Sequence, residues 1–109
     1  MTQPPWVEPF LESLRELSDL AAQRRAWIGG EVLDFPAPAE LVNQVFDDSG
    51  LDAELASGTV FSPEADDLLR QLSRLVEDID LSGDPAIWLD GAPWRRVADL
   101  ARRALIAIS

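Results

Sequence analysis

The chain has 109 residues and a formal net charge of −11, and it contains no histidine, cysteine, tyrosine or lysine. Those absences exclude Ser-His-Asp and Cys-His nucleophile systems, histidine or cysteine metal sites, disulfides, Schiff bases and a P-loop lysine. Carboxylates and nine arginines are the only ionisable side chains left, which is a poor set of groups for an enzyme, and the expectation is a non-enzymatic protein without a cofactor.

Residues 1–5, stiffened by Pro4 and Pro5, read as a flexible lead-in to a single helical domain over 6–109. From Trp6 onward, Phe10, Leu14, Leu17 and Ala21 recur at spacings of three and four, with Glu8, Glu12 and Glu16 elsewhere on the turn. This helix can run on through Leu20 to Trp27 and Ile28, or Ser18-Asp19 can cap a second, short helix. Gly29-Gly30 closes the segment, and Phe35-Pro36-Ala37-Pro38 is a connector because proline disfavours helix at the residue before it. A helix over about 39–48 presents Leu41, Val42, Val45 and Phe46. Ser49-Gly50-Leu51 ends it, with Leu51 placed for an apolar contact, and residues 51–57 have room for one or two helical turns.

Ser62-Pro63-Glu64 is the sharpest boundary: serine caps, proline takes the first helical position, and acids fill the first turn. The stripe that follows (Leu68, Leu69, Leu72, Leu75, Val76 and Ile79) predicts the spine of the core, with Leu72 fully buried. Residues 80–84 break the helix, and Asp84-Pro85 starts a short turn through Trp88 and Leu89. The last helix starts at Pro93 and carries Trp94, Val97, Ala98, Ala101, Leu105 and Ile108 on one side. Strand alternation is nowhere sustained. The fold expected is therefore all-α, a compact bundle of four main helices plus short helical turns.

Charge is unevenly spread along this bundle. Residues 40–90 hold 13 acids against Arg70 and Arg74, whereas residues 91–109 hold Asp99 against Arg95, Arg96, Arg102 and Arg103. An electronegative middle argues against direct nucleic-acid binding, which rests on neutralising phosphates, and favours a protein partner with a basic surface. The same charge also serves solubility. No apolar run approaches the ~20 residues that span a membrane. Met1–Trp6 lacks the basic start and apolar stretch of a signal peptide, so a cytoplasmic location is expected.

Four constellations invite a functional reading. Asp78, Asp80, Ser82 and Gly83 match the opening of an EF-hand calcium loop, but Leu89 stands where the bidentate acid belongs, so a capped turn between helices is the better account. Asp47-Asp48 and Asp66-Asp67 resemble paired carboxylates, yet adjacent helical residues point about 100° apart and do not converge on one atom; solvated helix ends explain both pairs. Arg95 and Arg102 stack on one face of the last helix, where arginines facing acidic neighbours are structural. Trp27, Trp88 and Trp94 lie near apolar stripes and are expected in the core, with Trp88, in the acidic loop region, also a candidate interface anchor.

The runs 14–18, Gln23-Arg24-Arg25 with Trp27, Glu40 through Leu51, and Ala65-Asp66 before the leucine-rich helix give the chain its overall likeness. On these it resembles small acidic bacterial proteins that are similar in size and charge to the immunity proteins of contact-dependent and polymorphic toxin systems. The likeness covers most of the chain, but its motifs are caps and apolar positions, so it transfers no site residues. What it implies is a binding protein that neutralises a basic toxin by occluding its surface. Asp47, Asp48, Asp52, Glu54, Asp78, Asp80 and Asp84 would present the charge and Trp88 would serve as anchor. A chaperone or adaptor for a secreted or regulatory protein is the alternative, and a calcium-responsive domain a remote one; the oligomeric state is left open. With Leu89 in place of the bidentate acid, titration calorimetry is expected to show no calcium binding in the micromolar range, and an affinity of that order would promote the calcium reading.

Overall fold

The computed structural model describes residues 4–30, 36–47 and 50–108, and every regular element among them is helical. Helix α1 (Val7–Ser18) buries Phe10, Leu14 and Leu17 completely. Its lead-in is a turn in which the Pro4 carbonyl accepts the Val7 N–H at 3.1 Å. At Asp19 the chain breaks, and the Asp19 carboxylate accepts the Ala22 N–H at 3.0 Å to cap α2 (Leu20–Trp27). The second of the two sequence readings therefore holds. The break resets the helical phase, so Ala21, expected on the α1 stripe, is exposed, and Ala22 and Gln23 turn inward instead. Two N–H groups, of Ile28 and Gly29, converge on the Arg24 carbonyl at 3.0 and 2.9 Å, and Gly30 follows with φ 69°. That left-handed backbone suits glycine, which lacks the Cβ that disfavours it.

Helix α3 (Pro38–Phe46) buries Leu41, Val45 and Phe46, and α4 (Leu51–Ser57) buries Leu51 and Leu55. Asp48, Ser49 and residues 31–35 lie outside the described residues. In α5 (Pro63–Glu77) the expected start is present, with the Ser62 hydroxyl accepting the Ala65 N–H at 3.1 Å and Pro63 in the first turn. Leu69 and Leu72 are completely buried, as the stripe predicts. A single turn, α6 (Pro85–Trp88), is capped by the Asp84 carboxylate. Helix α7 (Ala92–Ile108) starts one residue earlier than expected and buries Trp94, Val97, Ala98 and Ala101 as foreseen, with Leu100 and Ala104 in addition, whereas Leu105 and Ile108 are only partly buried.

The spine of the bundle is α7 rather than α5. It packs most extensively against α5 and then against α1, and α1 packs in turn on α3. Ala98, Ala101 and Ala104 give α7 low flanks, so neighbours approach it from two sides. The Cα radius of gyration, 13.7 Å, is close to the ~13 Å of a compact chain of this length. Among the described residues no helix is long and apolar enough to cross a membrane.

One buried polar group joins three helices. Gln23, with no exposed surface, donates from Nε2 to the Glu16 and Leu17 carbonyls at 2.8 and 2.9 Å and accepts the indole N–H of the fully buried Trp94 at 2.8 Å. Trp94 then packs with Trp88 (ring centroids 4.8 Å apart) and Trp27 (6.0 Å) at one end of the bundle. A second aromatic group, Trp6, Phe10 and Phe61, has centroids 5.7 to 6.1 Å apart.

Asp66 overturns the reading of Asp66-Asp67 as a solvated helix end. It is 1% exposed, and its carboxylate accepts the N–H groups of Val60 and Phe61 at 2.7 and 3.0 Å. The loop before α5 folds back over the first turn of that helix and buries one acid of the pair. Asp67 remains outside and accepts from Gln71 at 2.8 Å. Asp66→Ala leaves two loop N–H groups without acceptors and is expected to destabilise the fold by about 2–5 kcal/mol. Asp67→Ala should stay within about 0.5 kcal/mol of the parent. Urea denaturation of the two variants checks the contrast, and equal midpoints would show that the Asp66 latch contributes nothing.

Candidate functional site

A surface hollow of about 490 Å³ lies between the end of α5, helix α6 and the start of α7. Leu75 of α5 and Ile79 just beyond it form one wall, and Trp88 and Pro93 form the other above Trp94. Ile87 stands at the edge with 79% of its surface exposed. Asp78 and Asp80 make the rim. The geometry follows from local sequence. Asp84-Pro85 allows only one helical turn, so Ile87 and Trp88 project in succession from a short, steep element. Gly91 then lets the chain double back closely, since a Cβ there would sit 3.1 Å from the Trp88 carbonyl.

The floor of the hollow offers a ligand no hydrogen-bond donor from its indoles. Trp94 Nε1 is committed to Gln23, and Trp88 Nε1 points to the Gly83 carbonyl at 3.4 Å. The rim offers acceptors. Asp80 accepts the Ser82 hydroxyl at 2.6 Å and the Ser82 N–H at 2.9 Å, and these two bonds, the hydroxyl first, hold its carboxyl below the usual carboxylate range. It is therefore an anion near neutral pH. Asp78 closes the C-terminal end of α5, where the helix dipole disfavours negative charge, and its carboxylate has no hydrogen-bond or ion partner among the described residues. The segment that matches the start of a calcium loop is thus a tight turn held by Asp80 and Ser82. Leu89, at the position of the missing ligand, is 2% exposed and faces the core. No group of three or more acids that could hold a metal ion occurs among the described residues.

Of the residues expected to meet a partner, Asp78, Asp80 and Trp88 come together here. Trp88 is not a free anchor. It is half-buried and packed against Trp27 and Trp94, so it forms a wall that receives an apolar group. Asp47 is exposed at the end of α3, and Asp52 and Glu54 are exposed on α4. Asp52 accepts from Ser73 at 3.3 Å and borders a separate hollow with Arg70 and Arg74, which offset its charge. Asp84 is exposed and serves as the α6 cap. Asp48 lies outside the described residues.

Two of the four arginines of the basic helix are engaged within the fold. Arg102 and Arg103 pair with Asp99 at 2.8 and 3.9 Å, and Arg24 pairs with Asp90. Arg95 and Arg102 line one shallow hollow, but Asp99 lines it with them.

Sequence reasoning missed Ile87. It belongs to no helical stripe, and that isolation, an aliphatic residue beside Pro85-Ala86 with no periodic partner, was the available signal. Comparison with known families, with characterised proteins and with solved structures gives no match. Because Ile87 is exposed and Trp88 is packed in the tryptophan group, Ile87→Ser should change the stability by no more than the ~0.5 kcal/mol typical of surface substitutions. Trp88→Ala should destabilise by about 2–4 kcal/mol. Thermal unfolding followed by circular dichroism tests both, and a large loss for Ile87→Ser would show that this side chain belongs to the core.

Proposed function

We propose that the chain is a non-enzymatic acidic binding protein and that it acts as an immunity protein, neutralising a basic toxin by covering its surface. The observation that carries this reading is the apolar hollow bordered by Ile87, Asp78 and Asp80, where Ile87 is 79% exposed and the Asp78 carboxylate has no hydrogen-bond or ion partner among the described residues. The net charge of −11, drawn mostly from residues 40–90, supports it further. A toxin that cuts nucleic acid carries a cleft of positive potential to hold phosphates. An acidic helical surface fits such a cleft, associates rapidly under electrostatic steering and denies the substrate access. The resemblance to immunity proteins in size and charge points the same way.

The exposed apolar wall also favours a second reading, a chaperone or adaptor that shields an apolar segment of a secreted or regulatory partner. Neighbouring genes discriminate the two: a large toxin gene supports immunity and a secretion locus supports a chaperone.

The test begins with the partner captured from the native host. Its association rate with this chain should fall by about ten- to a thousandfold between low and high salt. A variant with Asp47, Asp52, Glu54 and Asp78 changed to arginine should fold, because all four are exposed, and should associate correspondingly more slowly. A partner that binds this variant as fast as the parent would reduce the charge to a solubility device.

A further inference from the structure

We propose that the hollow between α5, α6 and α7 is the docking site for a segment of a basic protein that presents one aliphatic side chain flanked by arginine or lysine. This inference rests on the binding-protein reading above and deepens it by naming the site and the chemistry of its occupant.

Three features of the hollow select that occupant. Its floor is hydrocarbon and aromatic carbon, with the Trp94 indole N–H bonded to buried Gln23 and the Trp88 indole N–H turned to the Gly83 carbonyl at 3.4 Å. A neutral polar ligand would have to strip its own acceptors of water and find no donor there. An aliphatic side chain meets no such penalty, and it would also cover Ile87. The rim, in turn, carries only acceptors, the carboxylates of Asp78 and Asp80, so the groups flanking the aliphatic anchor must be donors and cationic. An acidic or uncharged flank would leave those carboxylates partly desolvated without compensation. The third feature is the placement of Asp78. A carboxylate at the C-terminal end of a helix opposes the dipole; Arg74 lies in the same last turn, but no hydrogen-bond or ion partner among the described residues reaches the Asp78 carboxylate. A cation delivered by a partner does so. A second copy of this chain is a poorer occupant, because two bodies of net charge −11 repel and two of the four arginines of α7 are engaged with Asp99.

The test uses the full chain as bait for a displayed library of random twelve-residue peptides, selected at low salt. Enriched peptides are expected to share an aliphatic residue with arginine or lysine within one helical turn. In heteronuclear NMR spectra they should shift the amides of Ile79 and Ile87 and the indole N–H of Trp88. Ile87→Ser and Asp78→Lys should each weaken the selected peptides about tenfold. Asp47→Lys and Glu54→Lys, the same charge change on other helices, should cost no more than about twofold. Four results would overturn the proposal: no enriched peptide, enriched peptides that are acidic or lack an aliphatic anchor, shifts confined to another face, or an Ile87→Ser variant that binds as well as the parent. If basic peptides are selected but respond to all three acidic positions alike and not to Ile87, the hollow is not the site, and the acidic-binding reading survives. If the selected peptides carry no basic bias, that wider reading loses its support as well.

Discussion

The hydrogen bond from the Trp94 indole to the buried amide of Gln23 holds the bundle in register, because Gln23 is itself fixed to the carbonyls of Glu16 and Leu17. Those carbonyls lie in the last turn of α1, beyond which the helix does not continue, and the Glu16 carbonyl also accepts the Asp19 N–H at 3.2 Å. One side chain thus closes the end of α1, orients α2 and anchors the start of α7. A group of this kind, buried and fully satisfied, specifies a single arrangement, since any sliding of α7 would strand a buried indole N–H. The tryptophan group is assembled on this bond, and the walls of the apolar hollow are assembled on the tryptophan group.

The acidic residues divide into two populations once their partners are known. Asp19 and Asp84 cap helices, Asp66 ties down a loop, Asp80 forms a turn with Ser82, and Asp90 and Asp99 pair with arginines. These carboxylates are occupied within the fold. Asp47, Glu54, Glu77 and Asp78 are some of those with no comparable partner among the described residues, and Asp78, like Asp47, stands where the backbone makes its charge costly. A residue that violates a local rule without internal compensation is where an external requirement is to be sought. The apolar hollow lies beside Asp78, and the charge and the exposed hydrocarbon therefore point to one region of the surface.

What the chain determined by itself is its local architecture. The three- and four-residue spacing of Leu68, Leu69, Leu72 and Val76, the Ser62-Pro63 cap and the Gly29-Gly30 stop are properties of consecutive residues, and a helix forms from interactions within one or two turns. The all-helical class and the burial of Leu72 follow from these alone. Asp19 was legible as a cap, although not as the choice between one helix and two, because both continuations satisfy local rules. Tertiary structure decided the rest. Only the return of the loop at residues 60 and 61 makes Asp66 an interior group and leaves its neighbour Asp67 in water. Only the approach of α7 makes Gln23, one polar residue in an otherwise ordinary helix, a buried junction. The hollow likewise draws its walls from three elements, so Ile87 carries no periodic signal and Trp88 becomes a wall instead of a free anchor. The physical reason is common to all of these: periodicity records which face of an element is apolar, whereas the partner that covers or fails to cover that face is distant in sequence and is set by packing.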